Sequence, residues 1–312
     1  MWGAIIGDLA GSIYEYNQIK KVKEIKNLKE VIPENAFYSD DTILTIATLE
    51  ALLLNKDYTE TYKKYGQKYK DYKPNFTPYF KTTFSPGFTK WIENPTPRFS
   101  KGNGALMKIS PVAYLSTSEE QLITNTIKAT KATHNTEEAI SSALIITKFI
   151  YLAKKGYTKN QIIEKLNLKP SITKFQKFNT TCNETLNNCL YMAINSNSFE
   201  DSIKKIISLG GDTDTNACIT GSISESLYGI NKELIEKAQT KIPQEFTNIL
   251  NQGYQRIKKW IKPNKKSHYT NGGKKYEKIN PISKRFNKSK RTIQWKLPNN
   301  KTNQRIRKKN LW

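Results

Sequence analysis

Cysteine is scarce in this 312-residue chain: Cys182, Cys189 and Cys218 are the only three, they form no Cys-x-x-Cys pair, and any pairing strands one thiol. A disulfide framework is not expected, and a reducing cytoplasm fits such usage. Long apolar runs are missing too. No uncharged apolar stretch approaches the roughly 18 residues of a membrane span, so no membrane association is expected. Residues 1–8 have no basic start and carry an acid within a short apolar segment, unlike a signal peptide. Acids are also few, 27 Asp and Glu against 51 Lys and Arg, for a net charge of +24. Such an excess suggests an anionic partner, either nucleic acid or a membrane surface. Its location narrows that reading, because residues 263–312 hold sixteen Lys and Arg and a single acid, Glu277. This tail has sparse aromatics and no amphipathic periodicity, and it is expected to be largely disordered. Two accounts of it stand: an AT-rich coding bias acting on an unselected extension, and electrostatic contact with a polyanion.

The hydrophobic content, 37%, suffices for a sizeable core. Strand-like alternation bounded by turns is hard to find, whereas Ile43, Leu44, Ile46, Ala47, Leu49, Leu52 and Leu53 form a broad stripe at helical spacing. Residues 138–152 form another. Further helices are expected over 3–16, 57–71, 119–132, 159–166, 178–194, 199–209, 215–228, 231–239 and 243–261. The fold class is therefore all-α, a single compact multi-helix domain over 1–262 followed by the tail 263–312. Residues 74–104 are the exception, since Pro74, Pro78, Pro86, Pro95 and Pro97 remove backbone donors repeatedly, and a loop is expected there. No internal repeat is found at a period of about 20 to 50 residues.

Five short patterns carry chemistry. Ser39-Asp40-Asp41-Thr42 stands directly before the apolar stripe that begins at Ile43. A helix start explains it, with Ser39 as cap and two acids in the first turn, yet consecutive carboxylates repel unless a cation or solvent lies between them. Gly210-Gly211-Asp212-Thr213-Asp214-Thr215 separates two expected helices. Its glycines suit positive φ and its Asp214 or Thr215 suits a cap, but acids at i and i+2 with hydroxyls between them also suit Mg²⁺, Ca²⁺ or Mn²⁺. Two such clusters at two helix starts could meet across a bundle and hold two ions. Gly3, Gly7 and Gly11 lie four apart on one helix face, which allows a second helix to approach, and Glu15 emerges at that helix's end. Gly102-Asn103-Gly104-Ala105-Leu106-Met107 is neither a Walker A loop nor a dinucleotide fingerprint; its amides suit a phosphate, and a loop-to-helix junction explains it equally. His134, one of two histidines, suits either a structural or a ligand-contacting role.

Taken in order, Gly7-Asp8…Gly11…Glu15, Ser39-Asp40-Asp41-Thr42, Gly102-Asn103-Gly104-Ala105-Leu106-Met107, Thr133-His134 and Gly210-Gly211-Asp212-Thr213-Asp214-Thr215 resemble the ADP-ribosylglycohydrolase family over roughly residues 1–260. The resemblance implies a compact all-α fold whose dinuclear Mg²⁺ or Mn²⁺ centre hydrolyses the glycosidic bond between ADP-ribose and a protein side chain or small acceptor. By position, Ser39, Asp40 and Asp41 would supply one group of metal ligands and Asp212, Asp214 and Thr215 the other. Glu15 matches the acid beside the metals, so that Glu15, Asp41 and Asp212 form the implied catalytic set. Asn103, Gly104, Met107 and His134 match the lining of the ADP-ribose cleft. Ser39 replaces a common Thr and keeps the hydroxyl, while Lys108 stands where Arg is common and would lose a bidentate contact. Residues 74–99 and those near Glu15 are candidates for the cleft mouth, whose shape sets the acceptor. A non-catalytic ADP-ribose-binding member of the fold is the alternative, against which all four aspartates and Glu15 are present. A nucleic-acid-binding protein working through its tail is a third, but no nucleic-acid module is found in the first 262 residues.

Overall fold

The computed structural model describes residues 1–74 and 82–260. The basic tail, 263–312, with the polyanion contact expected of it, and Pro78 lie outside the described residues. In chain order the helices are α1 (Trp2–Glu15), α2 (Asp40–Leu54), α3 (Tyr58–Tyr69), α4 (Pro86–Glu93), α5 (Gly104–Met107), α6 (Ser110–Leu115), α7 (Glu119–Lys131), α8 (Glu137–Lys154), α9 (Lys159–Lys165), α10 (Cys182–Ile194), α11 (Phe199–Ser208), α12 (Thr213–Tyr228), α13 (Lys232–Gln239) and α14 (Gln244–Trp260). Among the described residues there is no strand, only an isolated bridge between Gly102 and Thr181. The architecture is all-α, as composition and periodicity predict.

Side-chain caps set most of the helix starts. Ser39, Asp57, Ser118, Thr136 and Ser198 each accept a backbone N–H at the first turn of α2, α3, α7, α8 and α11, worth about 1 kcal/mol apiece. A full capping box between Thr181 and Glu184 starts α10 at Cys182, four residues later than periodicity suggests. The proline-rich segment is not helix-free. Pro86 sits in the first turn of α4, where a missing N–H goes unused, Ser85 caps it, and Phe88, Trp91 and Ile92 turn inward. At α12 the pattern breaks, because Asp212 occupies the cap position and makes no cap bond. Its carboxylate is left for another use.

Close packing of α1 on α12 organises the centre. A methyl group added to Gly3, Gly7 or Gly11 would lie 2.1, 2.1 and 2.2 Å from the carbonyl oxygens of Gly221, Ala217 and Thr213. Each four-residue advance along α1 is a four-residue retreat along α12, so the helices run antiparallel. The end of α1, with Glu15, thereby meets the start of α12, with Asp212 and Asp214. Asp8, buried on α1, draws in the start of α2 by accepting the N–H groups of Ser39 (2.9 Å) and Thr42 (3.0 Å) and both hydroxyls. A single apolar cluster surrounds these three helices. All three cysteines are buried and free, and no helix among the described residues is long and apolar enough to cross a membrane.

Candidate active site

Carboxyl groups from three distant stretches of chain converge where α1, α2 and α12 meet. Asp8, Asp41 and Asp214 each place an oxygen within 4.8 Å of the other two, and Glu15, Asp212 and Asp214 form a second such set that shares Asp214. Hydroxyls and amides steer the individual oxygens. Thr215 Oγ1 lies 3.3 Å and Ser39 Oγ 3.2 Å from Asp41 Oδ2, while Asn103 Nδ2 donates to Asp212 Oδ2 at 2.6 Å. The backbone N–H of Asp212 donates to Asn179 Oδ1 at 3.0 Å, behind a turn in which Gly210 and Gly211 take φ of +73° and +77°.

Burial and mutual repulsion disfavour the charged forms of these acids. Loss of water raises Asp8 to about 6 against its hydrogen bonds, and burial followed by the charge of Asp8 raises Asp40 to about 7. Burial and then Glu15 raise Asp212 to about 7. Glu15, Asp41 and Asp214 are pushed well up, first by burial and then by neighbouring carboxylates. The Oδ1 atom of Asp41 is buried without a hydrogen-bond partner. Hard oxygens gathered this closely, with one unsatisfied, could hold a divalent cation.

Glu15, Asp41, Asp212 and Asp214, but not Asp8, line a cleft of about 1070 Å³, and all the other candidate ligand and cleft residues expected from the sequence line it with them: Ser39, Asp40, Asn103, Gly104, Met107, His134 and Thr215. That volume lies at the top of the range usual for small-molecule sites. The turn before α5 is fixed to the start of α10, with Asn103 N–H on Thr180 O (2.9 Å) and Cys182 N–H on Lys101 O (2.8 Å). Tyr16 and Ile19 on one side and Thr82, Phe84 and Arg98 on another extend the wall, from both regions expected at the mouth. Asp40 lines the cleft but belongs to neither set of converging oxygens. Sequence reasoning placed Asp8 in the opening motif but gave it no role, and it missed Asn179. The signal for Asp8's role was an acid in the middle of an otherwise apolar, glycine-faced stretch of α1; for Asn179 there was none.

The sequence matches the ADP-ribosylglycohydrolase family over residues 1–265. It is 26% identical over 169 residues to ADP-ribosylarginine hydrolase Tri1 of Pseudomonas putida (strain GB-1), covering 47% of this chain and 44%, less than half, of that protein. To human ADP-ribosylhydrolase ARH3 it is 21% identical over 331 residues, covering 82% of this chain and 91% of ARH3. The solved structure of an ADP-ribosylglycohydrolase-related protein complex shares the fold, with a TM-score of 0.63 at 18% identity over 82% of this chain and 95% of that one. Since the family match runs through every motif that meets in the acid-floored cleft, the chain belongs to the ADP-ribosylglycohydrolase family.

Proposed function

We propose that this protein hydrolyses the glycosidic bond joining ADP-ribose to a protein side chain or small acceptor, with the aid of two Mg²⁺ or Mn²⁺ ions. The observation that carries the reading is the meeting of Asp41 with Glu15, Asp212 and Asp214 in one cleft, where a buried oxygen of Asp41 has no partner. The activities named for Tri1 and ARH3 support the reaction class. Ser39, Asp40 and Asp41 would hold one ion and Asp212, Asp214 and Thr215 the other, with Asp8 bracing the first group. Bound there, the ions supply positive charge that engages the vicinal ribose hydroxyls and acidifies a water molecule.

The chain's own groups do the rest. Asn103 holds the Asp212 carboxylate in place. Glu15 lines the cleft beside Asp212 and Asp214, where it can take a proton from the attacking water and return one to the departing acceptor. The water oxygen bonds to the anomeric carbon as the bond to the acceptor breaks, through an oxocarbenium-like transition state. One water proton ends on the acceptor and the other stays on the new hydroxyl. The turn at Gly102–Gly104 lines the cleft where the diphosphate would lie, although its Gly102 and Asn103 N–H groups are bonded to Ser100 Oγ (3.2 Å) and Thr180 O (2.9 Å). Three buried free thiols are in keeping with action in a reducing cytoplasm.

The test is a panel of ADP-ribosylated acceptors, including modified arginine and serine, incubated with purified protein and Mg²⁺ or Mn²⁺ beside a chelator control. Release of ADP-ribose that stops on chelation is expected; release indifferent to the chelator overturns the proposed role of the ions. Whether residues 263–312 contact a polyanion is checked separately, by deleting them and measuring salt-dependent binding to DNA and RNA.

A further inference from the structure

Lys108, between α5 and α6, is fully buried at 0% exposure, a rare state for lysine that requires its ammonium to be held by partners. Its Nζ donates to the Gly104 carbonyl (2.9 Å) and to Thr133 Oγ1 (2.8 Å), and lies 5.2 Å from the ring centre of Tyr62. It also lies 3.5 Å from His134 Nδ1, and Thr133 Oγ1 is 2.8 Å from that same nitrogen.

The donors and acceptors here favour one assignment. Burial pulls Lys108 down to about 7, against the opposing charges of Cys182 and Asp40; in its protonated form it only donates, so Thr133 Oγ1 accepts from it and keeps its own hydrogen to give. A cation beside Nδ1 favours a lone pair on that nitrogen and opposes an N–H there. The hydroxyl therefore donates to Nδ1, and the ring proton resides on Nε2. Burial, with the charges of Lys108 and Arg98, holds His134 well below the usual histidine range, which keeps the ring neutral. Nε2 faces the glycine turn: a Cβ built on Gly102 would lie 3.3 Å from it and one on Gly104 3.5 Å. Both glycines and His134 line the cleft.

We propose that Lys108 is a positioning residue that acts through Thr133 to hold His134 as the Nε2–H tautomer, so that the cleft wall presents a fixed donor to a phosphate oxygen of the ligand. The ligand's identity rests on the reading that the cleft takes ADP-ribose. The same ammonium pins the Gly104 carbonyl next to Asn103, whose side chain reaches Asp212. A lysine thus meets the geometry of this position without the planar fork of arginine.

The chain has only two histidines, so nitrogen NMR of histidine-labelled full-length protein, with His268→Gln to assign the signals, reads the tautomer directly. In the wild type, His134 should show a protonated Nε2 and a bare Nδ1. Thr133→Val, close to isosteric, and Lys108→Met should each mix the tautomers and weaken ADP-ribose binding about tenfold by calorimetry with Mg²⁺ present, about the loss expected for one charge-assisted hydrogen bond. Lys108→Arg should keep both. A protonated Nδ1 in the wild type, or a tautomer unmoved by both Thr133→Val and Lys108→Met, overturns the proposal. The nitrogen shifts do not depend on hydrolysis. An Nε2–H tautomer in a protein that binds no ADP-ribose would overturn the functional reading and the phosphate assignment while upholding the relay.

Discussion

Asp214 belongs to both sets of converging carboxylates, so its charge is repelled from two directions whenever no cation is present. Asp214→Asn removes that repulsion. The expected outcome is a metal-free protein whose melting temperature is about 2–4 °C higher, roughly 1 kcal/mol for a domain of this size, and whose Mn²⁺ binding by calorimetry is lost. Glu15 lies in one set only and lines the cleft, where it can exchange a proton with the substrate. In Glu15→Gln, turnover of ADP-ribosylated acceptor should fall by about a hundredfold or more while Mn²⁺ stoichiometry is kept; unchanged turnover with the metals bound would remove Glu15 from the proton path. At this scale the sequence was informative where residue type is decisive. Asp40, Asp41, Asp212 and Asp214 could be named because adjacent or alternate acids at helix starts are hard to explain by capping alone. The role of Asp8 could not be read, because an acid within an apolar stretch has no sequence neighbour to betray its partners, which come from the start of α2, some thirty residues away.

Between elements, the contact of α1 with α12 decides where the acids go. The glycine spacing predicted a close approach, and the approach is so close that Gly7→Ala would force a methyl to 2.1 Å from the Ala217 carbonyl. Backbone on both sides leaves little to yield, so the variant should lose about 3 kcal/mol, read from the urea midpoint. A loss below about 0.5 kcal/mol would mean the helices separate without penalty. Helix ends were less legible than helix bodies. Periodicity reports which face is buried, whereas starts depend on caps such as Thr181 and on whether a proline falls in a first turn, as Pro86 does in α4.

For the whole molecule, the acid cluster couples stability to pH and to metal. Asp8, Asp40 and Asp212 have folded-state values of about 6, 7 and 7 against an ordinary 3.8. The folded state therefore binds more protons than the unfolded chain across that interval, and these groups favour the fold most below about pH 4. In chelator-treated protein their contribution falls as pH rises from about 4 to about 7. Thermal melts over that window should show the decline. Excess Mg²⁺ should flatten it and raise the melting temperature at pH 7, since ions that bind only the folded state replace the protons. A metal-free protein that grew more stable over the same window would contradict the clustering.

By itself the sequence determined the helical class, the apolar faces, the glycine stripe and the kinds of chemistry available, because each follows from local periodicity or from a residue's own functional group. The tertiary structure alone decided which acids share a centre, that Asp8 braces α2, that α4 packs within the proline-rich segment, and that Lys108 reaches Thr133. Those are relations between residues up to two hundred positions apart, and chain distance carries no information about them until α1 and α12 pack antiparallel and bring the helix ends together.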